Sequence, residues 1–191
     1  PDMVELMTSR VRVEEIEGVP CIQVREASLT TWNRILKRTF DILFALVILT
    51  LASPVLVVLV LVIKATSSGP AFFLQERVGL DGKLFHVIKF RTMRTDAEKE
   101  TGPVWTAKND PRTIPAGRIL RRFSLDELPQ LFNILRGEMS IVGPRPERPY
   151  FVERFKDQIP KYLDRHRVKT GMTGWAQVNG LRGNASIEER T

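Results

Sequence analysis

Two adjacent carboxylates, Asp126 and Glu127, stand in the run Ser124-Leu125-Asp126-Glu127-Leu128-Pro129-Gln130. Such a pair at a helix start ordinarily does no more than favour the helix dipole and cap N–H groups. Here the chain adds cations on short or rigid stretches: Lys89 and Arg91, Arg121, and Arg145 held between Pro144 and Pro146. A carboxylate is ionised at neutral pH and can attack without a general base. Fixed cations neutralise the equatorial oxygens of a phosphoryl group, and the free N–H groups of a first helical turn offer a phosphate a second dock. The pair would itself repel a diphosphate, so a divalent ion is expected on Asp126 and Glu127. Hard oxygen ligands favour Mg2+, with Mn2+ as a substitute.

Other chemistries find less support. Cys21 is the single cysteine, which rules out an internal disulfide, and His86 and His166 are far apart and read as structural. The glycines from Gly171 to Gly183 lack a Walker A or dinucleotide pattern. The formal net charge is +7, but residues 1–30 carry three basic and six acidic side chains, so the basic excess belongs to residues 31–191. A basic surface suits phosphorylated ligands, anionic lipid headgroups or nucleic acid. The aromatic and basic interleaving of a nucleic-acid platform is missing. A membrane-anchored binding module for anions is the competing class, and it predicts salt-sensitive binding that survives loss of Asp126.

The elements that must position these residues are legible in outline. Ser67-Ser68-Gly69-Pro70 is a turn, and Asp81-Gly82 between two strand-like runs predicts a β-hairpin over about residues 71–93, with Lys89 and Arg91 at the end of its second strand. Residues 94–113 are polar and read as a loop, or a helix and a loop. A short amphipathic helix comes next, with Ile119, Leu120 and Phe123 on one face beside Arg118, Arg121 and Arg122. Ser124 and Glu127 have the spacing of a capping box, with Leu125, Leu128, Leu131, Phe132 and Leu135 as an apolar stripe and Gly137 as the stop. Pro129 sits too deep for that register, so the helix could start a few residues later. A further helical stretch is expected from about Tyr150 to Arg167.

Upstream, Ile42 to Ile63 is a run of 22 residues without a charge. At about 1.5 Å per residue it spans roughly 33 Å, enough for a bilayer core. Near its middle, Pro54 lacks an N–H for the carbonyl of Thr50, so a kink or break is expected at Ser53-Pro54. Two topologies stand: a kinked helix that crosses, or a re-entrant helix-break-helix that leaves on the face it entered. Both flanks are basic, which tilts the choice towards re-entry. The start at Pro1-Asp2, without Met, reads as an internal one. At 191 residues the chain has room for one core of ordinary size.

In series, Lys37-Arg38-Thr39-Phe40-Asp41, Ser53-Pro54, Lys89-Phe90-Arg91-Thr92-Met93, Ser124 to Gln130, Gly143-Pro144-Arg145-Pro146-Glu147 and Thr173-Gly174-Trp175-Ala176-Gln177-Val178-Asn179-Gly180 resemble the monotopic phosphoglycosyl transferases, the bacterial polyprenyl-phosphate sugar-1-phosphate transferases. The resemblance covers about residues 31–191. It implies an α+β fold, mainly helical: residues 1–30 as a linker or the tail of a preceding regulatory domain, resembling its last strand, 31–66 as a re-entrant membrane helix broken at Ser53 and Pro54, and 67–191 as a cytosolic catalytic domain with a small β-hairpin and amphipathic interfacial helices. It implies that Asp126 attacks the sugar-bearing phosphorus of a UDP-sugar, releases UMP, and passes the phosphosugar to polyprenyl phosphate. Glu127 would assist Mg2+ binding or hold the dyad, and Lys89, Arg91, Arg121 and Arg145 would hold phosphates, with Gln177 and Asn179 as further substrate contacts. The implied setting is the bacterial inner membrane, facing the cytoplasm, in exopolysaccharide, capsule or O-antigen assembly. Membrane lipids are partners there, a second copy of the chain is a further candidate, and nucleic acid is not expected. In two places the chain departs from the family: Thr170 replaces the usual Pro before Gly171, and Thr191 falls short of the usual C-terminal segment.

Overall fold

The computed structural model describes residues 11–16, 19–24, 31–97, 102 and 110–181. Two compact units result, residues 1–34 and 35–191. In the first, strands β1 (Val11–Ile16) and β2 (Val19–Val24) pair antiparallel, with Val11 opposite Val24 and Ile16 opposite Val19. In place of the single terminal strand expected there, the backbone forms a strand pair.

Helix α1 (Thr31–Thr66) carries the apolar run and is long and apolar enough to cross a membrane. Of the kink or break expected at Ser53-Pro54, the break is not seen: one helix runs through Pro54. The local chemistry accounts for this. The carbonyl that Pro54 cannot serve is that of Thr50, and the Ser53 hydroxyl donates to it at 2.8 Å, so the orphaned acceptor is satisfied within the helix.

One face of α1 packs on the rest of the second unit along almost the whole run. Ala45, Ile48 and Leu49 join Phe85, Val87, Leu131, Ile134, Met139 and Ile141. Beyond the proline, Leu56, Leu59, Val60 and Ile63 join Ala71, Phe90, Ile114 and Leu120. These positions recur at three- and four-residue spacing, the signature of one helical face. The opposite face, including Leu43, Leu51, Val57 and Leu61, is exposed.

The N-terminal part of the helix is pinned by the Lys37–Asp41 segment. Asp41, only 3 % exposed, accepts from Lys37 Nζ at 2.6 Å, Ser140 Oγ at 2.9 Å and the Ile141 amide at 3.1 Å. Arg38 donates to the carbonyls of Ile134 and Leu135 in the last turn of a downstream helix, where regular helical partners run out; the Ile134 carbonyl also accepts from the Gly137 N–H.

The predicted hairpin forms from β3 (Phe72–Val78) and β4 (Leu84–Phe90), antiparallel, with Phe73 opposite Lys89. Its turn places Asp81 and Gly82 both at positive φ, 54° and 74°, which is why Asp-Gly suits it. After residues that lie largely outside the described set come α2 (Pro115–Arg122) and α3 (Gln130–Arg136). Strands β5 (Ser140–Val142) and β6 (Gly171–Thr173) pair in parallel. At Gly143 and Gly171 the two backbones meet so closely that a Cβ on either would collide with main-chain atoms of the other. The helical stretch expected over 150–167 is divided: α4 (Pro149–Lys156) ends before Pro160, Lys161 takes a left-handed φ of 60°, and Tyr162–Arg167 forms a 3-10 segment. A last short helix is α5 (Trp175–Val178). His166 is buried edge-on to Tyr162, the structural role expected of it.

Candidate active site

The capping box does not form. Ser124 sits at φ 56°, ψ 22°, with no side-chain cap bond, and Leu125–Glu127 is a 3-10 turn rather than a first α-helical turn; α3 begins only after Pro129. The proline accounts for it: in a helix begun at Ser124 its ring would crowd the Leu125 carbonyl and leave it without an N–H, whereas as the residue before Gln130 it costs nothing. The left-handed residue ends α2 and turns the chain sharply. Leu125 then packs with the Leu120 cluster while Leu128, Leu131 and Leu135 reach the Phe85 cluster, and Phe132 of the expected stripe stays 43 % exposed. Asp126 and Glu127 are left facing an open cleft of about 980 Å³.

Glu127 is clamped. Arg145 donates to it through Nη2 at 2.6 Å and Nη1 at 3.4 Å, and Lys89 Nζ lies 3.7 Å from the same Oε1. Arg145 is itself braced by Arg165, which donates to its carbonyl at 2.8 Å. Burial works against the Arg145 charge, but the Glu127 carboxylate outweighs it and leaves that pKa raised. Among the described residues Asp126 has no such ion pair. Burial first, then the neighbouring Glu127 charge, raise its pKa, while Lys89 and Arg121 pull against them. Burial lowers the Lys89 ammonium to about 8 despite Glu127. Arg121 donates to Thr92 Oγ1 at 2.9 Å and is likewise lowered by burial.

Eight basic side chains line the cleft against three acidic ones, so its net character is that of an anion site. Lys89, Arg91, Arg121, Arg145 and Gln177 all lie on it; Asn179 does not, its amide donating instead to the Trp175 carbonyl at 2.9 Å. Gln177 turns its amide nitrogen to the Met172 carbonyl at 3.1 Å. Arg91 reaches the cleft wall, but it is 4 % exposed and its terminal nitrogens are spent on the carbonyls of Ser68 at 2.7 Å and Ser67 at 3.0 Å. It braces the turn by which the chain leaves α1.

The cleft also holds cations that the sequence motifs did not single out. Arg77, brought down to about 10 by burial, bonds Gln75 and the Pro146 carbonyl and faces Glu147 at 3.5 Å. Arg112 is paired with Asp110 at 2.5 Å, which holds that carboxyl down to about 2. Alternation along β3 puts Gln75 and Arg77 on the side of Phe73, a signal present in the sequence; the pairing of Arg77 with a loop about seventy residues on is not.

Among the described residues no three His, Cys, Asp or Glu side chains cluster to cage a metal. Asp126 beside Glu127 still fits the way Mg2+ is usually held, by one or two carboxylates with the rest of its shell from substrate phosphate and water.

The chain matches the family described as bacterial sugar transferase over residues 32–191. It belongs to that family. It is 45 % identical over 190 residues to the UDP-glucose:undecaprenyl-phosphate glucose-1-phosphate transferase of Escherichia coli K12, covering all of this chain and 41 % of that protein. It is 38 % identical to the UDP-N-acetylgalactosamine-undecaprenyl-phosphate N-acetylgalactosaminephosphotransferase of Aeromonas hydrophila, over 91 % of this chain and 40 % of the other. A shorter relative, the exopolysaccharide production protein PSS of Rhizobium leguminosarum, is 46 % identical over 78 % of this chain and 76 % of its own length. The chain spans about two fifths of the first two relatives. Family members named for different sugars share this unit, so membership leaves the sugar open.

Proposed function

We propose that the chain is a phosphoglycosyl transferase unit that moves a sugar-1-phosphate from a UDP-sugar to polyprenyl phosphate through a covalent intermediate on Asp126. The observation that carries this reading is the division of labour in the acid pair: Glu127 is tied to Arg145 and Lys89, while Asp126 lies half-buried on a cationic cleft with no ion pair of its own among the described residues. One carboxylate is fixed as a counter-charge, and the other is left to react.

In the first step an Asp126 oxygen attacks the sugar-bearing phosphorus. The new P–O bond forms as the bond to the uridine phosphate breaks, and UMP leaves with the electron pair. Lys89 and Arg121, whose charges already act on Asp126, would hold the phosphoryl oxygens and offset the charge that develops. In the second step the polyprenyl phosphate oxygen attacks the same phosphorus, and the Asp126 carboxylate is released. Mg2+ on Asp126 and the substrate phosphates, with Glu127 nearby, would supply charge neutralisation for the diphosphate.

The membrane side of the proposal is re-entry at the cytoplasmic face of the bacterial inner membrane, which a continuous α1 can make only by bending at Ser53-Pro54, where the Thr50 carbonyl has no backbone N–H partner. Its support is that both halves of the apolar run pack on one catalytic unit. A crossing helix would carry that polar unit through the hydrocarbon, where unsatisfied backbone is excluded.

Incubation of the protein with a UDP-sugar and Mg2+, without lipid, should release one equivalent of UMP and leave a phosphosugar adduct on the Asp126 peptide by mass spectrometry. Turnover retained in Asp126→Asn would sink the assignment, and a panel of UDP-sugars in the same assay would identify the donor.

A further inference from the structure

Ser124 has the type and spacing of a helix cap, but the fold leaves its hydroxyl nothing to cap. The residue sits at φ 56° and ψ 22°, a left-handed conformation in which a Cβ is unfavourable and glycine is the usual occupant at a helix end. Asp81, Ser124 and Lys161 are the non-glycine residues at positive φ among those described, and of the three only Ser124 lies on the cleft. A short polar side chain can offset the cost of this conformation by a local hydrogen bond. Here the hydroxyl makes no capping bond and is exposed on the cleft that holds Asp126. Glycine would be less strained at this position, and the one group that serine adds is not used by the fold.

The backbone fixes where that hydroxyl stands. The Ser124 N–H donates to the Arg121 carbonyl at 3.3 Å, and the Ser124 carbonyl accepts from the Glu127 N–H at 3.2 Å. Ser124 is therefore tied on one side to the residue whose guanidinium acts on Asp126, and on the other to the acid pair.

We propose that the Ser124 hydroxyl is a further catalytic residue, which donates a hydrogen bond to a non-bridging oxygen of the phosphoryl group in transit through Asp126. The inference rests on the transferase reading above. Phosphoryl transfer asks a protein for positioning and for stabilisation of charge on the equatorial oxygens. A hydroxyl supplies both as a neutral donor. Another cation at this position would pair with Asp126 and occupy the carboxylate that must attack; a hydroxyl adds a phosphate contact without that competition.

The same phosphorus is attacked twice, first by Asp126 and then by the acceptor phosphate. Loss of a donor to its oxygens should slow both half-reactions by similar factors. A contact to the departing UMP would slow only the first, and a contact to the acceptor headgroup only the second.

The test compares Ser124→Ala and Ser124→Gly in the full chain. Alanine removes the hydroxyl and keeps the strained Cβ, whereas glycine removes both. Thermal melts should place the alanine variant near the parent and the glycine variant no lower, because relief of the left-handed strain offsets the greater freedom of the unfolded chain. UMP release without lipid, and transfer of the phosphosugar from the preformed adduct to polyprenyl phosphate, should each slow roughly 10- to 100-fold in both variants.

Parent-like rates in either variant, or a loss confined to one half-reaction, would overturn the proposal. So would a slow glycine variant that melts below the parent, since the loss would then belong to the fold. Failure of the parent itself to form the Asp126 adduct would remove the covalent reading and this proposal with it, whereas parent-like Ser124 variants beside an active parent would remove this proposal alone.

Discussion

Arg145 holds Glu127 at 2.6 Å, and by doing so it separates the roles of two carboxylates that are neighbours in the chain. The Arg145 backbone is held by the flanking Pro144 and Pro146 and by the bond from Arg165 to its carbonyl. Removing the Arg145 guanidinium should leave Glu127 a half-buried charge beside Asp126, with only Lys89 at 3.7 Å to offset it. Arg145→Ala is expected to lower kcat roughly 10²- to 10³-fold. Arg145→Lys should recover only part of this, because a point charge cannot reproduce the two-pronged bond. Steady-state kinetics with thermal melts as a folding control would check it.

The pH profile of kcat/KM should be a bell. Asp126 must be ionised to attack, so activity rises as pH climbs through its pKa, which burial and Glu127 hold above the ordinary 3.8. Lys89 must be protonated to hold phosphate, so activity falls as pH passes its value of about 8. Glu127→Gln should move the acid limb down by removing the like charge, whatever it does to the maximum. Lys89→Arg should move the alkaline limb up. An alkaline limb that stays in place in Lys89→Arg would assign it to another group.

Arg91 is predicted to act through the fold rather than on substrate. With its terminal nitrogens on the Ser67 and Ser68 carbonyls, Arg91→Met should cost about 2–3 kcal/mol of stability. The KM for the UDP-sugar should stay near the parent's, unlike in Lys89→Met. A large KM increase with an unchanged melt would return Arg91 to the phosphate site.

Asp41 ties α1 to β5 through two bonds, from Ser140 and Ile141, with Lys37 of the same helix as its counter-charge. Asp41→Ala strips a buried carboxylate from its partners and should destabilise by about 3–5 kcal/mol. Chemical denaturation in detergent micelles would measure this, and a change within error of zero would show that α1 is held by its apolar face alone.

Re-entry predicts that both ends of α1 meet the same solvent compartment. After Cys21→Ser, single cysteines at Asn33 and Ser68 should both react with a membrane-impermeant reagent from one side of oriented vesicles. Reaction from opposite sides would establish a crossing helix.

Much of the candidate site was written in local chemistry. Charge-free length announced α1, Asp81-Gly82 specified the hairpin turn by its need for two positive φ values, and the spaced motifs named Asp126, Glu127, Lys89, Arg121 and Arg145. Each depends on a property of one residue or of a few neighbours. What went astray did so where two local signals conflicted or where partners are distant. Ser124 and Glu127 have capping spacing, but Pro129 forbids the helix that spacing assumes, and tertiary pairing draws Glu127 to Arg145 instead. Pro54 leaves a carbonyl orphaned, yet Ser53 satisfies it within the helix.

The acid pair is thus the sequence's own contribution, and its asymmetry is the fold's. A linear chain shows two equivalent carboxylates, because charge type and spacing are all it carries. Only when β4, α2 and the Pro144–Pro146 loop converge are Lys89, Arg121 and Arg145 distributed unequally around them, with one carboxylate compensated and the other desolvated. That inequality arises from burial and distance, which are properties of packing.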